Sequence, residues 1–120
     1  MPIVDVEVVG DAAAAPASAQ ALADALGRAL GRPVGSTWVR LRRLDASDYA
    51  ENGGATPEGD GPVFVTVQHA HLPVGEALRA EVAAVTQAVA HSLGRAPERV
   101  HLQYAQPGAG RQAFGGRLVG

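Results

Sequence analysis

Neither cysteine nor lysine occurs in this chain. The missing thiols exclude a disulfide framework, a thiolate zinc site and a cysteine nucleophile. With lysine absent, all 10 basic residues are arginine, which keeps its charge when partly buried and grips a carboxylate with two hydrogen bonds. Aromatic residues make up 4% of the chain against 47% hydrophobic residues in all. The interior must therefore be built from Ala, Val and Leu, whose small side chains bring backbones close together. Long apolar runs are missing too: no stretch approaches the roughly 18 residues that span a bilayer. The opening MPIVDVEVVGD lacks the basic start and apolar run of a signal peptide. The arginines are scattered among 12 acids for a net charge of −2, which is no nucleic-acid footprint. These absences predict a cytoplasmic protein with neither nucleic acid nor membrane as partner. Residues 1–120 are expected to form one compact domain.

What is present is a unit written twice. Ile3 to Val9 alternates mildly and is rich in Val and Ile, which reads as a strand ending before Gly10 and Asp11. From about Ser18, Leu22, Leu26 and Leu30 recur every four residues among alanines; Gly31 supplies the helix stop, with Pro33 just beyond. Thr37 to Leu44 reads as a second strand. Pro62 opens a similar series: PVFVTVQHAHL is a strand, and Leu78, Val82, Val85, Val89 and Leu93 form one helical stripe ending at Gly94. Val100 to Tyr104 is a fourth strand. LGRPVGSTWVRL (residues 30 to 41) lines up without a gap on LGRAPERVHLQY (residues 93 to 104). The chain is thus an internal duplication, with repeat one at about 2–54 and repeat two at about 62–117.

The expected fold class is α+β: tandem β-α-β repeats in a four-stranded mixed sheet. Right-handed crossovers put both helices on one face. The other face is left bare and needs a cover that the chain does not contain, so association through the sheet is expected. DYAENGG (residues 48 to 54) and RQAFGGR (111 to 117) suit tight reversals. Gly53 to Gly61, with few apolar residues, reads as a mobile connector between the halves.

Met-Pro-Ile-Val followed by two β-α-β units resembles the 4-oxalocrotonate tautomerase and macrophage migration inhibitory factor families of the tautomerase superfamily. The likeness covers essentially the whole chain. Its most specific parts are Pro2 running straight into a strand, the LGRP turn, and APERVHLQY, which is similar to SPDRVYINY of the migration factors. The resemblance implies a homotrimer whose sheets wrap into a barrel, with the N-terminal proline at the base of a pocket between subunits. It places the migration-factor pocket lysine on Arg32, the tyrosine on His101 and the asparagine on Gln103. On the 4-oxalocrotonate side the first-strand arginine falls at Asp11, the second-strand arginine at Trp38 and the pocket phenylalanine on Tyr49. Arg40, two residues after Trp38, points the same way along its strand. DYAENG resembles NFVEHG of the trans-3-chloroacrylic acid dehalogenases, which puts a water-activating glutamate on Glu51. The first-strand arginines of those enzymes are replaced here by Val9 and Asp11.

Chemistry gives Pro2 a reason of its own. Removal of the initiator methionine would leave a secondary amine, and an apolar pocket that penalises its cationic form would make it a base near neutral pH. Arg40 and Arg42 share a strand face, and an enolic acid needs a carboxylate partner. Arg32 could equally be a helix-end residue complementing the dipole. His69 and His71 share a face and His101 lies in the same half, the raw material of a three-histidine metal site. The reading preferred is partly buried strand histidines, with His71 or His101 as pocket walls and no metal. The expected activity is a cofactor-independent tautomerase acting on enol or 2-oxo acids, with Pro2 as base and an arginine on the carboxylate. The alternatives are a hydratase or dehalogenase of unsaturated acids, in which Glu51 activates water, and a non-catalytic trimeric binding protein.

Overall fold

The computed structural model describes residues 1–10, 18–54 and 61–120. Asp11 and most of the connector expected between Gly53 and Gly61 lie outside the described residues. Four strands form one mixed sheet: β1 (Ile3–Val9), β2 (Trp38–Leu44), β3 (Val63–Gln68) and β4 (Val100–Tyr104). Their order is β2-β1-β3-β4. β1 runs parallel to β2, β3 runs parallel to β4, and the two pairs meet antiparallel at β1 and β3. Helices α1 (Ala19–Ala29) and α2 (Gly75–Leu93) supply the two crossovers, so the β-α-β unit occurs twice.

Strand parity decides the core. In β1 the even residues Val4, Val6 and Val8 are buried, and in β3 the odd residues Val63, Val65 and Val67 are buried. The antiparallel register sets Val4 against Val67, Val6 against Val65 and Val8 against Val63, so every inward rung of the seam between the repeats is a pair of valines. Leu22 and Leu26 of α1 and Val85, Val89 and Leu93 of α2 close over them. The stripe expected along α2 is buried only in its C-terminal half. Val82 is 38% exposed, because the first turns of this 19-residue helix do not lie over that cluster.

Local chemistry sets the element ends. The Ser18 hydroxyl accepts from the Ala21 N–H at 3.0 Å and caps α1. Gly31 and Gly94 both take φ of +64° after the helices, a left-handed conformation that costs glycine little. Strand boundaries differ from the sequence reading, and β3 starts at Val63 rather than Pro62. β2 begins at Trp38 rather than Thr37, and β3 ends at Gln68, so His71 lies beyond the strand and is exposed. A short hairpin also follows β4: β5 (Ala113–Phe114) and β6 (Arg117–Leu118) are joined at Gly115 and Gly116.

The shared LGR word has two fates. Arg95 is 7% exposed and donates to the carbonyls of Val9 at 3.1 Å and Gly61 at 2.5 Å. It thereby ties the end of β1 to the approach to β3. A side chain at Gly61 would strike the Val9 carbonyl, 2.7 Å from an ideal Cβ. Arg32, its counterpart in repeat one, is exposed. The expected consequence is a contrast between two equal substitutions. Arg95→Met should lower unfolding free energy by about 1–3 kcal/mol, because buried carbonyls lose a charged donor, whereas Arg32→Met should change it by less than about 0.5 kcal/mol. Urea denaturation of both variants measures the difference.

Candidate functional site

Pro2 precedes β1 by one residue and is fully buried. Its carbonyl accepts the Trp38 N–H at 3.1 Å. Parity puts its ring on the helix-covered face with Val4. Extending the two registers by one step sets Thr37 beside it on the β2 side and His69 beside it on the β3 side. The Met1 thioether occupies the space that a Cβ on Gly108 would fill, and the Gly108 N–H donates to the His69 carbonyl at 2.7 Å. The chain after β4 therefore forms one wall of the Pro2 corner.

On one side of this corner a groove of about 490 Å³ runs between α1 and the turn that leads into β2. Arg28, Arg32, Val34, Thr37 and Trp38 are among its lining residues. Arg32 has no ion-pair partner among the described residues, and Val34 is fully exposed. Trp38 anchors the rim: its indole N–H donates to the Gly35 carbonyl at 3.1 Å, and the ring meets Phe114 of the hairpin edge-on, centroids 5.0 Å apart.

The other candidate residues lie elsewhere. On the helix-free face one rung crosses all four strands as Arg40, Asp5, Thr66 and Gln103, and the next runs Arg42, Glu7, Phe64 and His101. These rungs enclose a second concavity, also about 490 Å³. Arg40 holds Asp5 with two hydrogen bonds, Nε at 2.6 Å and Nη2 at 2.9 Å. The hydrogen bond first, and then the charge of Asp5, raise the guanidinium above its ordinary value. Gln103 donates to the Thr66 hydroxyl at 3.1 Å. Arg40, His101 and Gln103 thus share a face, the one opposite Pro2.

Tyr49 and Glu51 form a third group. The Tyr49 hydroxyl donates to Glu51 at 2.7 Å, a bond that raises the phenol with help from desolvation and the carboxylate charge, against a lowering by Arg99. Tyr49 packs on Phe64, which packs on His101. Phe64 pairs with Glu7, five residues along β1 from Pro2, roughly 16 Å at strand rise. Within one chain, then, the groove beside Pro2 holds Arg32 but not Arg40, Tyr49, Glu51, His71, His101 or Gln103. The three histidines do not converge either: His69 is buried on the helix side, His101 lies on the other face and His71 is outside the strand.

A buried network beside Pro2 escapes sequence reasoning. His69 Nε2 lies 2.8 Å from Oε2 of Glu81 on α2, and the same oxygen accepts the Tyr104 hydroxyl at 2.7 Å. Burial first, and then the Glu81 hydrogen bond and charge, push the Tyr104 phenol far above its usual range. One signal was visible: His69 continues the inward parity of Val63, Val65 and Val67, a polar residue at a core position. Glu81 carried none, being one of many helix glutamates.

Both tyrosines should therefore stay neutral past the ordinary value of about 10. The raised Tyr104 contributes stability that is fully present below that pH and is lost as pH rises toward its folded value. Ultraviolet absorbance titration should show late phenolate formation. Glu81→Gln should bring Tyr104 only part of the way down, since burial is the larger cause.

No protein-family model matches the chain, and neither does any curated protein. Solved structures do. A fused 4-OT, described as a wild-type symmetric trimer, is 24% identical with a TM-score of 0.74, covering 98% of this chain and 94% of its own. The macrophage migration inhibitory factor of Oncomelania hupensis is 21% identical with a TM-score of 0.70, covering 100% and 83%. A malonate semialdehyde decarboxylase, described with decarboxylase and hydratase activities, is 18% identical with a TM-score of 0.64, covering 94% and 90%. The two β-α-β units and their sheet order give this chain the fold of the fused 4-OT, the migration inhibitory factor and the malonate semialdehyde decarboxylase.

Proposed function

We propose that the protein is a cytoplasmic, homotrimeric tautomerase of enol or 2-oxo acids that uses Pro2, freed of Met1, as its base. The observation that carries this reading is the burial of the Pro2 ring at the head of β1 with Met1 attached, in a fold shared with a fused 4-OT. A buried secondary amine is penalised as a cation. The proton leaves carbon or hydroxyl of the substrate, rides on the Pro2 nitrogen and returns to another atom, while the charge that develops on the enolate needs a cation. Arg32 suits that task within one chain, because it has no ion-pair partner among the described residues and lines the groove that Thr37 and Trp38 join to the Pro2 corner. Arg40, whose guanidinium is held by Asp5, is left to the sheet face. Tyr49, Glu51, His101 and Gln103 would enter such a pocket from a neighbouring subunit. The fused 4-OT is a trimer, and a polar sheet face without helices gives this chain a surface to assemble through.

Expected outcomes follow for both parts. Intact mass should show loss of one methionine, and Pro2→Ala, which keeps a free amine, should lower enol tautomerisation by roughly 10²–10⁴-fold. Arg32→Met should raise KM for carboxylate substrates. Light scattering should give a trimer, with unfolding that depends on protein concentration. Near-full activity in Pro2→Ala would refute the base assignment, and a monomer would refute the shared pocket.

A second reading rests on the Tyr49–Glu51 hydrogen bond, which holds a carboxylate as a water-activating base requires. A structural neighbour is described with hydratase activity. Glu51→Gln cannot accept a proton, so it should abolish any addition of water to unsaturated acids and spare tautomerisation. Efficient hydration by the parent protein, lost in that variant, would make the chain a hydratase.

A further inference from the structure

Among the described residues, two buried side-chain polar atoms lack a hydrogen-bond partner: the Thr37 hydroxyl oxygen and His69 Nδ1. Buried polar groups are rarely orphaned. These two belong to the residues that the strand registers, carried one step past Ile3, set beside Pro2, one on each side. Both face the helices. Thr37 Oγ1 lies 3.8 Å from an ideal Cβ on Gly27 of α1, and His69 reaches Glu81 of α2.

The network sets the character of the imidazole. Glu81 Oε2 accepts the Tyr104 O–H, so the carboxylate is an acceptor and His69 Nε2 carries the proton that points to it. In the neutral ring Nδ1 is then a bare acceptor. Thr37 Oγ1 has free lone pairs as well. While Met1 is attached, the Pro2 nitrogen is a tertiary amide with no N–H to offer. Freed and protonated, it has two.

We infer that Thr37 and His69 are positioning residues for the Pro2 amine, their two orphaned acceptors matching the two N–H bonds of the protonated proline. The inference rests on Pro2 as the base. In the forward step a C–H or O–H bond of the substrate breaks and an N–H bond forms on Pro2; Thr37 Oγ1 and His69 Nδ1 hold the resulting cation until the proton is delivered to the second substrate atom. Glu81 and Tyr104 fix the imidazole tautomer from α2 and β4. Asp24, Arg28 and Arg32 are the charged groups at the groove on the α1 side. The acceptors oppose the effect of burial, so the cluster keeps the amine from becoming too weak a base.

The test uses the methionine-processed protein with Thr37→Val, which is nearly isosteric without an acceptor, and His69→Gln, whose amide can still donate to Glu81. Thr37→Ser is the rescue control. Nitrogen NMR of labelled Pro2 gives the amine titration directly, whether or not the variants turn over substrate, and the acid limb of the pH–rate profile gives it through catalysis. Each loss variant should lower the amine pKa by roughly half a unit to one unit and reduce kcat more than it raises KM, with Thr37→Ser unchanged. If the Pro2 amine titrates at the parent pH in both Thr37→Val and His69→Gln, the inference is overturned. Should the titration shift as expected while Pro2→Ala remains active, the cluster stands and the base assignment falls.

Discussion

The structure depends on the antiparallel valine seam where β1 meets β3. Each β-α-β unit alone would present one parallel strand pair and a single helix stripe, too little to bury. Joined at the seam, three rungs of paired valines become the middle of one sheet, and both helices have a common floor. The seam also places the Pro2 corner. Because β1 is central, the residue that leads into it has neighbours on both sides, and a buried proline can be flanked from the β2 side and the β3 side at once.

Duplication supplied two equivalent corners, and the sequence treats them differently. Pro62 opens β3 as Pro2 opens β1, and both rings are buried. At the Pro62 end Arg95 fills the corner and satisfies the backbone carbonyls. At the Pro2 end the matching Arg32 stays outside, beside a groove. One copy of the motif became a staple, and the other was left open.

Much of this was legible in advance. Valine alternation marked β1 and β3, four-residue leucine spacing marked α1, and the glycines at 31 and 94 marked the helix ends, because each of these follows from local geometry. The repeated LGR word exposed the duplication. What stayed hidden depends on partners distant in sequence. The two-residue strands of the hairpin are too short to carry a period. Whether an LGR arginine is buried depends on what the other repeat offers it. Thr37 became notable only when the register set it beside Pro2, and Glu81 only when α2 lay over His69. Arg40 looked like a carboxylate grip and proved to have one, in Asp5 of its own sheet.

The edge-on contact between Trp38 and Phe114 gives the molecule an internal probe. Trp38 is the sole tryptophan, and its ring is held by the hairpin rather than by the valine core. Fluorescence therefore observes the docking of the C-terminal segment, whereas circular dichroism in the peptide region observes the sheet and helices. Where the two transitions part on heating, the segment that walls the Pro2 corner lifts away while the fold beneath it remains, and emission becomes a gauge of how open the corner is.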